Sequence, residues 1–163
     1  MRTLKYIIAA ILLIASVSPC LANEGKCREI AIREYPNDSR MQNYVYNKQV
    51  SAARYMATVT DQDVKSIALR EYPEDFSMQK YVYDKQSSAK RYMASLTDSD
   101  VKNIALREYP HEYSMQKYVY DKQLSAKQYM ASMLNGPAKQ QAIRAYPYDY
   151  SMQKYIYDKL RRL

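Results

Sequence analysis

The chain has 163 residues, with 25 Lys plus Arg against 17 Asp plus Glu, and with 19 Tyr, two Gly, two Cys, one His and no Trp. That length permits one domain with a real core, while so few Gly argue against a turn-crowded all-β protein and leave no Gly-rich phosphate-cradling loop. A single His and the lack of any Cys or His cluster exclude the ordinary zinc and iron–sulfur spacings. No metal site and no cofactor is therefore expected, and a Ser/His or Cys/His nucleophile has little support.

The chain opens with a positive start at Arg2 and Lys5, a short apolar run from Ile7 through Ser18, and Cys20-Leu21-Ala22 with small residues at the flanking positions. This pattern reads as a secretory signal peptide over 1–22, too short in its apolar run to span a bilayer. Cleavage after Ala22 leaves 141 residues carrying 23 bases and 17 acids, a net charge of +6. An exported, periplasmic or secreted protein of this charge meets phospholipid head groups, lipopolysaccharide and wall polymers. Nucleic acid is not an expected partner there. One thiol remains, Cys27, predicted to be free in an unstructured tail over 23–27.

The rest is one unit written four times. Tyr-Pro recurs at Tyr35, Tyr72, Tyr109 and Tyr146, and Met-Gln at Met41, Met78, Met115 and Met152, always 37 apart. The units are 28–64, 65–101, 102–138 and a truncated fourth over 139–163. Repeats of this length signify stacked arrays whose units cannot bury their apolar faces alone.

Within a unit, Thr60-Asp61-Gln62-Asp63 and Thr97-Asp98-Ser99-Asp100 resemble capping boxes, each opening a short helix A over 64–70 or 101–107. Helix A must stop near Tyr-Pro, because the residue before Pro is pushed out of the helical region. Ser77 then caps a longer helix B running from Met78 to about Leu96. At 100° per residue, Met78, Tyr81, Val82, Ala89, Tyr92, Met93 and Leu96 form its apolar stripe. The predicted fold is all-α: a tandem helical-hairpin array of period 37, with short A and long amphipathic B.

Two recurring sets bear on function. Lys48, Lys85, Lys122 and Lys159 fall inside the apolar stripe, where a lone ammonium would be costly. Glu34, Glu71 and Glu108 are predicted to pair with the first three as structural ion pairs that set register. Ala145 stands where the fourth Glu would be, which makes Lys159 a ligand candidate. Tyr46, Tyr83, Tyr120 and Tyr157 lie about 130° from the stripe. They are either a ladder of exposed rings, gripping a partner with Lys80, Lys117 and Lys154, or core between units. No catalytic residue stands out: His111 occupies a freely varying link, and no carboxylate pair has separated acid and base roles.

The run YPEDFSMQKYVYDKQ resembles an aromatic-Pro, Met-Gln, Tyr, Gln motif of small exported bacterial proteins of unassigned function, which implies an envelope setting and no particular activity. The hairpins are similar in architecture to tetratricopeptide and Sel1-type repeats, without the small-residue and Gly pattern of the latter. The expected function is a non-enzymatic binding module engaging a protein of the bacterial envelope. The competing readings are a binder of an anionic glycan or lipid, an inhibitor or immunity-type protein, and a small hydrolase. The incomplete fourth unit, 139–163, leaves an apolar flank on which a homodimer could form.

Overall fold

A computed structural model of the chain describes residues 19–162, with side chains described from Asn23 onward. Most of the expected signal peptide, residues 1–18, lies outside the described residues. Among the described residues there are eight α-helices and no strand: α1 Pro19–Glu34, α2 Ser39–Thr58, α3 Gln62–Glu71, α4 Phe76–Ser95, α5 Ser99–Glu108, α6 Tyr113–Ser132, α7 Pro137–Ala145 and α8 Tyr150–Leu160. The fold is all-α. No helix among the described residues is long and apolar enough to cross a membrane.

The helix ends follow local chemistry. Asp61 and Asp98 cap α3 and α5, each accepting from the backbone N–H three residues on, Val64 or Val101, at 3.2 Å. The caps are thus these Asp residues rather than the Thr residues before them. Asp38, Asp75 and Asp149 likewise accept from the N–H of Met41, Met78 and Met152 at 3.0 Å. The expected cap Ser77 lies inside α4 and its buried Oγ has no partner. Asp75, two residues earlier and just outside the helix, takes the role because a charged acceptor suits the exposed N–H groups of a first turn. At their other ends α3, α5 and α7 stop at Tyr72, Tyr109 and Tyr146, whose N–H groups bond back to Ala68, Ala105 and Ala142. The Pro that follows each Tyr prevents continuation.

The chain divides into two compact units, residues 1–83 and 84–163, with the boundary inside α4. In the first, α1 packs on α2, and Ile30, Ala31 and Val45 form a cluster flanked by Tyr46 and Phe76. The segment Asn23–Cys27, expected as a tail, is part of α1. Cys27 forms no disulfide among the described residues and has no exposed surface, because it stands one turn before Ile30 and Ala31 on the same helix face. In the second unit α5 packs on α6, and both α6 and α7 pack on α8. Its core includes a cluster around Met93, Val101, Ile104, Val119 and Tyr120 and another around Met130, Ala142 and Tyr157.

Two rows of glutamines, all buried except the half-buried Gln42, hold the hairpins together. Gln42, Gln79, Gln116 and Gln153 each donate Nε2 to the carbonyl of the Tyr seven residues earlier, at 2.6 to 2.7 Å. Each such bond ties the first turn of a long helix to the end of the short helix before it. Gln49, Gln86 and Gln123 reach the next long helix instead. Their Nε2 groups donate to Asp75, Glu112 and Asp149 at 2.8 to 2.9 Å, and their Oε1 atoms accept from the N–H of Ser77, Ser114 and Ser151 at 2.9 to 3.1 Å. An amide has both a donor and an acceptor, so one side chain satisfies two groups at a helix start that burial would otherwise leave costly.

Candidate functional site

The glutamines change which face of a long helix is inside. On α4 the buried residues include Gln79, Val82, Tyr83, Gln86, Ala89 and Met93. At 100° per residue their centre lies about 70° round from the stripe read by hydropathy alone. That rotation overturns one expectation and decides one open alternative. Lys48, Lys85 and Lys122 are exposed, as are Glu34, Glu71 and Glu108, and among the described residues none of the six forms an ion pair. The stripe that seemed to require a partner for these lysines is not the buried one, so they extend into water without cost.

The second concerns the tyrosines. Tyr83, Tyr120 and Tyr157 are buried, and Tyr46 is half-buried with the Arg28 guanidinium 4.9 Å from its ring centre. They are core and no exposed ladder. Each buried ring meets a tyrosine of the preceding long helix edge-on: Tyr55 with Tyr83 at 6.1 Å, Tyr92 with Tyr120 at 6.3 Å, and Tyr129 with Tyr157 at 6.3 Å between centroids. Side chains that meet on neighbouring long helices are 26 to 29 residues apart. Equivalent residues are 37 apart, so within a unit they are staggered by about nine residues, roughly 13 Å along the axis. Ring-on-ring stacking of Tyr120 on Tyr157 is therefore excluded.

The lysines expected to accompany that ladder are engaged in the same joints. Lys117 Nζ donates to Asp121 Oδ2 at 2.5 Å while sitting 4.4 Å from the centre of the Tyr92 ring, whose hydroxyl donates to Asp121 Oδ1 at 2.6 Å. Lys154, Asp158 and Tyr129 repeat the arrangement, with 2.5 Å, 4.4 Å and 2.5 Å for the same three contacts. Lys80 lies 4.4 Å from the Tyr55 ring centre. These lysines bind their own fold. Lys159 is exposed, as a ligand candidate needs to be.

The electrostatics of these joints make stability depend on pH. The Lys127 hydrogen bond holds the Asp98 carboxylate below its usual range, and bonds from Lys154 and then Tyr129 do the same for Asp158. Burial is the largest single influence on Asp121 and pushes upward, but bonds from Lys117 and Tyr92 with the Lys117 charge outweigh it, so the carboxyl is lowered. A lowered carboxyl stabilises the fold above its unfolded pKa of about 3.9 and loses that contribution as pH falls through the folded value. Thermal melts should be flat from neutrality to about pH 5, with Tm falling below about pH 4. On the alkaline side the bond to Asp121, with burial behind it, pushes the Tyr92 hydroxyl up to about 12. Its contribution is complete below about pH 10 and disappears above. Tyr92→Phe should flatten the alkaline limb of the Tm profile, and an unchanged limb would contradict the Tyr92–Asp121 assignment.

The exposed rings are a different row. Tyr44, Tyr81, Tyr118 and Tyr155 are 62%, 59%, 60% and 59% exposed. Four residues on from each, and so on the same helix face, stands Lys48, Lys85, Lys122 or Lys159. Hydropathy places Tyr81 in the core, and only the burial of Gln79 and Gln86 turns it outward. The clue available in the sequence was the recurrence of Gln42, Gln79, Gln116 and Gln153 seven residues after each Tyr of Tyr-Pro, with Gln49, Gln86 and Gln123 a further seven on. On the short helices Ile32, Leu69, Leu106 and Ile143 are also exposed.

Among the described residues no group of three His, Cys, Asp or Glu side chains could hold a metal ion. Comparison with known proteins finds no matching family model, no matching curated protein and no matching solved structure.

Proposed function

We propose that the protein is an exported, non-enzymatic array of helical hairpins, repeating every 37 residues, that binds a protein partner in the bacterial envelope. The observation that carries this reading is the recurrence, once per unit, of an exposed Tyr and an exposed Lys four residues apart on a long helix. A Tyr ring supplies large apolar contact area and a hydroxyl, and Lys supplies charge, a combination suited to an acidic protein surface with apolar spots. Repetition adds avidity, since a partner held by one unit meets the next at high effective concentration. In this reading Tyr44, Tyr81, Tyr118 and Tyr155 replace the buried tyrosines as the contact residues, with Lys159 kept and Lys48, Lys85 and Lys122 added.

The test is retention of an envelope protein by immobilised protein at low and high salt. Lys85→Glu with Lys122→Glu should reduce capture about tenfold at low salt while leaving Tm within about 2 °C. Undiminished capture would remove the charged half of the face.

An anionic glycan is the second reading, favoured by a shallow groove of about 520 Å³ along α8 in which Lys154, Tyr155, Lys159 and Arg162 converge with Ser151 and Asp158. Such a polymer should be released steeply by salt and lose affinity stepwise as units are removed. The reading also includes a homodimer through 139–163, where Ile143, Tyr146 and Tyr148 are exposed. Sedimentation at high concentration should give a dimer that Ile143→Lys dissociates; a monomer at all concentrations would eliminate it.

A further inference from the structure

A lysine position that two hairpins fill is empty in the first. Lys127 Nζ donates to both oxygens of Asp98, at 3.0 and 2.9 Å, and lies 5.2 Å from the ring centre of Tyr150. Lys90 lies 5.1 Å from the ring centre of Tyr113. In the 37-residue frame the first hairpin has Ala53 in place of these lysines, Glu24 in place of Asp98, and Phe76, the one phenylalanine of the chain, in place of the tyrosines. Where the lysine is missing, a cavity of about 160 Å³ opens between α1 and α2. Its apolar walls come from Cys27, Val50, Ala53 and Ala57, and its polar rim includes Glu24 and Arg54. The Arg54 guanidinium lies 3.6 Å from the Glu24 carboxylate, which is half-buried, while the Arg54 side chain is 64% exposed.

We propose that this cavity is a binding site for an alkylammonium group, a primary ammonium on a short aliphatic stem. The stem takes the path a lysine side chain takes in the third hairpin, against Val50 and the Cys27 thiol, and the ammonium takes the Glu24 carboxylate as Lys127 takes Asp98. Cavities of this order admit a benzene-sized guest, so the volume suffices for a four-carbon stem. The site is separate from the Tyr–Lys face and does not depend on it. The chemistry is common to a lysyl side chain of a partner and a free small amine.

The test is titration of the purified protein with n-butylammonium and its neutral counterpart n-butanol, followed by NMR. The ammonium should bind about tenfold more tightly than the alcohol, the size expected for a charge-assisted hydrogen bond. Glu24→Gln should bring the two to parity. Ala53→Lys should abolish binding of both, raise Tm by a few degrees and slow the labelling of Cys27 by a small thiol reagent, since the cavity is then filled from within. A blocked lysine amide that binds more tightly than butylammonium assigns the site to a partner's lysine; weaker binding assigns it to a free amine. Equal affinity for butanol and butylammonium in the unaltered protein would overturn the proposal, as would absence of binding. Should Ala53→Lys fail to fold, the Glu24→Gln comparison decides alone.

Discussion

Replacing Gln123 by leucine is expected to lower the stability of the protein by about 2–4 kcal/mol, a fall in Tm of roughly 10 °C. Leucine matches the volume and keeps the residue buried, so packing is not what fails. The loss is polar: the Gln123 amide gives one hydrogen bond to Asp149 and takes one from the Ser151 N–H. Asp149 retains its bond from the Met152 N–H. The Ser151 N–H keeps no acceptor, and a buried donor left unmatched bears its full desolvation penalty. Gln86→Leu should behave alike, because its two bonds run to Glu112 and Ser114 in the same way. Chemical denaturation with an unchanged m-value would report the loss as one of stability. A Gln123→Leu protein as stable as its parent would mean that the row of glutamines does not join the hairpins.

The second large effect separates tyrosines two residues apart. Tyr120→Ala should cost about 3–5 kcal/mol, since it empties a buried ring site within the cluster of Met93, Val101, Ile104 and Val119 and removes the edge contact with Tyr92. Tyr118→Ala, at a ring that is mostly in water, should change stability by less than about 0.5 kcal/mol. Thermal melts of the two variants compare them directly. The reverse ranking, with Tyr118 the costly position, would mean that the face read from hydropathy alone is the buried one.

That contrast also locates what the sequence could and could not convey. Helix type, order and stops were legible because Tyr-Pro acts locally, within one turn; the starts were only partly so, since Asp75 and not Ser77 caps α4. The face of the long helices was not, because hydropathy treats Gln as a solvent-facing residue. Gln79 and Gln86 are buried, each amide finding backbone or carboxylate partners that exist only once the helices have met. A rotation of about 70° then exchanges Tyr81 with Tyr83 and releases Lys85 and Glu71 from a pairing that burial alone would have demanded. The burial of Cys27 was hidden for a related reason. The first hairpin extends its short helix back to Pro19 and draws the thiol into the core.

The measurement that bears most directly on function is capture from envelope extract by the protein and by a variant carrying Tyr81→Ala and Tyr118→Ala, at low and high salt, with melts of both. The expected result is that one protein is retained at both salts by the parent and lost by the variant, whose circular dichroism and Tm are unchanged. Retention of the same protein by the well-folded variant would contradict binding through the exposed tyrosines, and retention of glycan or lipid alone, released by salt, would transfer the function from the rings to the lysines.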